Sequence, residues 1–146
     1  VADLEAKDVL LAKTVLDIHR KRTHSAFVFV PLSTIMPIHA IDRKSALVAT
    51  QGRVETLTEK KGELCKKGKI TKDRLAEYLP SISWIKVVRE SSDCLIAYEG
   101  NGRLAALQIV FCEDDNILIE VEEYYFRNPL KILHRMNRVR RLNGLI

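Results

Sequence analysis

The chain is poor in cysteine and has no cysteine pair. Cys65, Cys94 and Cys112 are its only three in 146 residues. Their odd number and wide spacing argue against a disulfide framework or a zinc knuckle, and favour a reducing compartment, cytoplasmic or nuclear. Cys94 and Cys112 lie in apolar runs and are expected in the core, whereas Cys65, followed by two lysines, is expected outside it. Long hydrophobic runs are missing as well. No apolar stretch approaches the roughly 18 residues of a membrane span, and Val1, Ala2, Asp3, Leu4 and Glu5 form neither the basic start nor the apolar block of a signal peptide. Internal repeats, low-complexity tracts and interdomain linkers are absent. So are both standard phosphate loops, GxGxxG and GxxxxGK followed by Ser or Thr. The four histidines follow no ligand spacing, so no metal ligands are assigned.

What remains is an ordinary globular composition, 47% hydrophobic and 29% charged, in a length that suits one domain with a sizeable core. The net charge of +5 is localised. Lys131, Arg135, Arg138, Arg140 and Arg141 account for all of it, and the chain before them is balanced.

Hydrophobic periodicity predicts a helix over residues 3–22, with Asp3 as cap, Leu4, Leu11, Val15 and Ile18 inward, and His19 and His24 solvated near its end. Residues 27–30 read as a strand, and residues 32–39, with prolines at both ends, as a turn-rich connection. Ser45 is the expected cap of a helix to about residue 60, weakened by Gly52, and residues 60–69 are expected as a solvated loop or frayed end. Thr71 caps a short helix that Pro80 ends. Residues 82–89 and 94–98 read as an antiparallel hairpin, and residues 117–126 as a further strand. Asn128 and Pro129 open a last helix that Asn143 and Gly144 close. The expected fold is therefore a single α+β domain, a small mixed β-sheet flanked by helices.

Within that order the stretch Glu99, Gly100, Asn101, Gly102, Arg103 joins a buried strand to a helix. The first N–H groups of a helix lack intrahelical acceptors, glycine lets an anion approach them, and an arginine offers a planar donor fork. Gly100, Asn101, Gly102 and Arg103 are thus the candidate phosphate site, with Arg43 or Lys44 closing from the other side. His39, Asp42 and Glu99 are the candidates for a catalytic base or a Mg²⁺ ligand. A second candidate surface is the basic arc of the last helix, Lys131, His134, Arg135, Arg138 and Arg141, which suits nucleic acid, an acidic protein or an anionic membrane surface.

Over residues 27–127 the chain resembles the ParB/sulfiredoxin superfamily. The residues that carry the resemblance are Val30, Pro31, Leu32, Ser33, Thr34 and Ile35, and the run from Glu99 through Arg103 to Leu104, Ala105, Ala106 and Leu107. The resemblance implies a ParB/sulfiredoxin-like core between an N-terminal helix, residues 1–22, and a basic C-terminal helix, residues 128–143. It also implies nucleotide phosphates at the 100–103 loop, a nucleotide with Mg²⁺ as the cofactor class, and phosphotransferase or nucleotide hydrolase chemistry. ParB-like nuclease, DNA-binding and non-catalytic regulatory members make nucleic-acid binding or regulation the alternative. Asn101 stands where sulfiredoxin has its catalytic Cys, and Gly102 where the family usually has His or Arg.

Overall fold

A computed structural model describes residues 6–146. The expected Asp3 cap, with Leu4 and Glu5, lies outside them. The elements in order are α1 (Ala6–Lys21), β1 (Arg22–Pro31), a 3₁₀ turn (Leu32–Thr34), β2 (Ile35–Pro37), α2 (Lys44–Lys67), β3 (Lys69–Ile70), α3 (Lys72–Tyr78), β4 (Lys86–Ser91), β5 (Cys94–Glu99), α4 (Asn101–Val110), β6 (Leu118–Phe126) and α5 (Pro129–Leu142). The sheet runs β1-β6-β4-β5-β2, and β3 adds to β6. Pairing is antiparallel for β1 with β6 and β4 with β5, and parallel for β2 with β5, β3 with β6 and β4 with β6. The domain is thus α+β, one open mixed sheet flanked by helices. Among the described residues no helix is long and apolar enough to cross a membrane.

Each side of the sheet has its own core. Alternation in β6 sends Ile119 and Val121 to one face, where they meet Leu57 and Leu64 of α2 and Leu104 and Leu107 of α4. Tyr124, Val88 and Ile96 face the other way, against Ile18 of α1 and Ile132, Met136 and Val139 of α5. The 3.6-residue spacing of the apolar positions in α5 places these side chains inward and leaves Lys131, His134, Arg138 and Arg141 exposed. Arg140 departs from this division. It is buried, and its Nε donates to Pro37 O at 3.1 Å, which pins α5 to the end of β2.

Several expectations change. The turn-rich connection contains β2, because residues 35–37 pair with β5 in register. α2 does not fray near residue 60. It continues through Gly62 to Lys67 because Leu57 and Leu64 keep its buried stripe in phase, and Gly68, at φ 75°, stops it with its N–H on Leu64 O. Arg43, not Ser45, occupies the cap position, without a side-chain bond. Thr71 does cap α3, accepting from Arg74 N at 3.1 Å. Cys112 is exposed, while Cys65 packs against the first core, since α2 turns it inward. His19 is not a solvated end. It lies edge-on between Tyr98 and Tyr124, each ring centroid at 5.7 Å, and burial, then Lys86 and Arg22, hold its pKa below the usual histidine range.

Asn101 locks the central crossover. Its Oδ1 accepts from Ile38 N at 3.0 Å and its Nδ2 donates to Ala97 O at 2.9 Å, so the first residue of α4 ties the segment after β2 to β5. Ile38 N also reaches Ala97 O at 3.0 Å, so one donor is shared. Asn101→Ala is expected to destabilise the domain by about 1–2 kcal/mol, the loss of two buried hydrogen bonds with partial compensation at Ile38. Urea unfolding at neutral pH reads this, and a midpoint equal to that of the parent protein would contradict it.

Candidate functional site

The end of β5 and the start of α4 form the site. Gly100 sits at φ 83° as the cap residue of α4, a conformation that glycine adopts without strain. The space is as demanding as the angle: a Cβ here would lie 2.8 Å from Ile85 Cγ1 and 3.1 Å from Ile85 Cα. The first intrahelical bond runs from Leu104 N to Gly100 O at 2.9 Å, leaving the N–H groups of Asn101, Gly102 and Arg103 without an acceptor in the helix. The positive end of the α4 dipole is therefore open at this turn.

Arg103 folds back over that end. Its Nη2 is 3.1 Å from where a Gly100 Cβ would be, and the residue is only 4% exposed. Six polar or charged residues are buried among those described. Thr14 and Thr50 bond to backbone carbonyls one turn back, Asn101 makes the two bonds above, Glu123 takes both arms of Arg89 at 2.9 and 3.0 Å, and Arg140 bonds to Pro37 O. Arg103 is the exception, with no hydrogen bond or ion pair to any described residue. Burial first, then the neighbouring Arg53 guanidinium, push its pKa down, against the attraction of Glu99. It remains a cation, because guanidinium deprotonates only far above neutral pH.

Arg53, from α2, completes the group. Its Nη1 lies 2.7 Å from where a Gly102 Cβ would be, so the guanidinium rests on the first turn of α4 in space that a side chain at residue 102 would fill. Arg53 likewise has no hydrogen-bond or ion-pair partner among the described residues. Two unpaired arginines and a helix N-terminus converge here. The nearest opposing charge, Glu99, is drawn to Lys86 at 3.4 Å. The arrangement suits a multiply charged anion whose oxygens take both guanidinium forks and the exposed N–H groups.

The other sequence candidates are placed differently. Asn101 contributes only its N–H, because its side chain is committed to the crossover. His39, Asp42 and Arg43 come together in a separate depression of about 240 Å³ at the start of α2, with Lys7, Asp8 and Asn143. Asp42 accepts from Lys7 at 2.8 Å, which lowers its pKa, and Arg43 reaches Asp8 at 2.6 Å. Arg53 is about 10 Å further along the α2 axis than Ala46 on the rim of that depression. Among the described residues no group of three His, Cys, Asp or Glu could hold a metal ion, and Glu99 alone does not make a protein-held Mg²⁺ site. On α5, Arg135 is bonded to Asp17, whereas Lys131, His134, Arg138 and Arg141 are exposed and without ion pairs among the described residues.

No family model, no curated protein and no solved structure matches this chain.

The two site glycines should behave oppositely on substitution. Gly100→Ala meets both the positive φ and the Ile85 backbone, and should cost at least about 1–2 kcal/mol of stability. Gly102→Ala meets only the mobile tip of Arg53, so its melting temperature should match or exceed that of the parent. Thermal unfolding of both variants checks this, and equal losses would contradict the placement of Arg53.

Proposed function

We propose that this chain is a phosphate-binding domain, with the phosphate of a nucleotide or another phosphorylated small molecule held at the N-terminus of α4 by Arg103, Arg53 and the N–H groups of residues 101–103. The observation that carries this reading is Arg103, a residue only 4% exposed that has no hydrogen bond or ion pair to any described residue, while Glu99, which attracts it, is drawn to Lys86. Burying an uncompensated charge is costly, and a bound dianion would offset that cost with charge-assisted hydrogen bonds, each worth about 1.5–3 kcal/mol. The resemblance to the ParB/sulfiredoxin superfamily at residues 99–107 supports the same assignment. Binding is better supported than phosphoryl transfer or hydrolysis. His39 and Asp42 stand in another depression, and Asp42 is already held by Lys7. Glu99, the remaining candidate base, lies beside Arg103 but is drawn to Lys86 at 3.4 Å.

A second reading draws on α5. Lys131, His134, Arg138 and Arg141 recur at intervals of three and four residues, so they line one exposed stripe that could follow a phosphate backbone. The basic segment counts for less than its composition suggests, because Arg140 is buried against Pro37 and Arg135 is bonded to Asp17.

Inorganic phosphate at about a hundredfold its Kd should raise the melting temperature by roughly 5–10 °C. Arg103→Met should abolish that rise, while melting at or above the parent in anion-free buffer, because it removes a buried charge that has no partner. A phosphate shift that persists in Arg103→Met would overturn the site. For the second reading, replacing Lys131, Arg138 and Arg141 together with Gln should reduce the slope of log affinity for single-stranded DNA against log salt by about 2. An unchanged slope would remove α5 from consideration as a nucleic-acid surface.

A further inference from the structure

We infer that β1 pairs antiparallel with β1 of a second copy of this chain, about a two-fold axis at Phe27, so that the two sheets join into one in a homodimer. β1 is the end strand of the sheet, with β6 as its only strand neighbour among the described residues. Its free edge can be assigned residue by residue. Leu118 N donates to Gly68 O at 3.0 Å and Glu122 N to Ile85 O at 2.9 Å, both away from β1, whereas Leu32 N donates to Ile117 O at 2.9 Å. Pro31 stands opposite Leu118 and Phe27 opposite Glu122, so neither of these pairs is hydrogen-bonded. Antiparallel pairs alternate between bonded and non-bonded. The N–H and C=O groups of Ser25, Phe27 and Phe29 therefore point outward, where no described strand receives them.

This edge lacks the usual guards. Exposed edges are ordinarily protected by charged side chains or by a covering element. From Thr23 to Val30, β1 carries no Asp, Glu, Lys or Arg, and Phe27 and Phe29 are 42% and 41% exposed. The limits of the edge are symmetric. Pairing with β6 is irregular between Arg22 and His24, and Pro31 offers no N–H, so the regular edge ends four residues to either side of Phe27. A closed dimer needs a surface complementary to itself. Pairing centred on Phe27 sets Ser25 against the partner's Phe29, and every outward donor meets an acceptor. A shift of two residues sets Ser25 against the partner's Pro31, leaving the Ser25 carbonyl without a donor, or sets Phe29 against the irregular Thr23.

The side chains agree with the backbone. Phe27 and Phe29 share one face, and Phe27 lies opposite the partner's Phe27, so the four exposed rings of the two copies form one cluster. Trp84 supports it edge-on, 5.9 Å from Phe27. Lys72, over Phe27 at 4.7 Å, approaches from β6, where its N–H is held by Glu120, and so stands on the side away from the axis. Lys69 lies over Phe29 at 5.1 Å and has no ion pair among the described residues, while Glu122 accepts from Ser25 Oγ at 2.8 Å. Because Phe29 stands opposite the partner's Ser25, Lys69 and the partner's Glu122 flank the same cross-strand pair with opposite charges, and the symmetry repeats this arrangement. That match, with limits symmetric about Phe27, selects a second copy over an unrelated extended peptide.

Sedimentation equilibrium of the whole chain at micromolar concentration tests this, with a dimer of twice the 16.7 kDa chain mass as the expected result. Phe27→Lys finds Glu122 beside it within the chain but meets its own like charge at the axis, and should weaken the dimer about tenfold or more. Ser25→Pro removes an outward N–H and no backbone bond to β6, and should weaken it likewise. Val48→Lys, on the exposed side of α2, should leave it unchanged. Amide exchange followed by NMR on the parent needs no variant, so the test stands where a variant fails to fold. Exchange at Ser25, Phe27 and Phe29 should be slow in the dimer and become fast as dilution dissociates it, while Ala26 and Val28 stay protected throughout. A monomeric parent would leave the edge to some other chain and overturn the inference. A dimer that either folded variant leaves intact, or in which those three amides exchange freely, would overturn it as well.

Discussion

Between β5 and α4 the chain turns at Gly100 in a space that admits no side chain, and the architecture of the site follows from that turn. Ile85 closes one side of it, the backbone takes a left-handed conformation, and α4 starts immediately with its N–H groups facing the end of the sheet. A longer connection would move the helix start away from β2 and break the bonds by which Asn101 joins Ile38 to Ala97. The same tightness brings Arg103 back over Gly100 and buries it. One constraint on backbone geometry thus produces a rigid crossover and a concentrated positive charge together.

The contrast among the buried polar groups gives that charge its meaning. Glu123 is buried deep in the sheet and is matched by both arms of Arg89; Arg140 is buried and bonds to Pro37 O. In each case the fold supplies the partner that burial demands. At Arg103 it supplies instead a second cation, Arg53, and a helix N-terminus, with Glu99 as the charge that opposes them. Such an arrangement is unfavourable to folding unless something else completes it, and a phosphate dianion does so with the fewest further assumptions.

The readability of the sequence followed how local each determinant was. The α5 helix, the cap at Thr71, the β4–β5 hairpin and the glycine turn depend on neighbouring residues, and their residue types at short spacing announced them. The continuation of α2 beyond residue 60 was hidden, because Gly62 and a cluster of lysines spoke for a loop while Leu57 and Leu64, buried against strands distant in sequence, held the helix. The swap between Cys65 and Cys112 has the same origin, since neither local setting records which helix face or turn meets the core. Asn101 could be placed at the turn from sequence, but its partner Ile38 could not. Arg53 gave no signal at all. It lies on a long polar helix among other charges, and only the packing of α2 on α4 brings it to Gly102.

That packing alters the reading of Gly102 itself. As a sequence feature it is a lost contact, a glycine where the proposed kin usually carry histidine or arginine. In three dimensions the volume that a side chain there would take is occupied by the Arg53 guanidinium, whose nearest nitrogen would be 2.7 Å from the missing Cβ. The positive charge at the helix start therefore comes from another element, α2. The glycine makes room for it, and the close seating of Arg53 where α2 packs on α4 depends on residue 102 having no side chain.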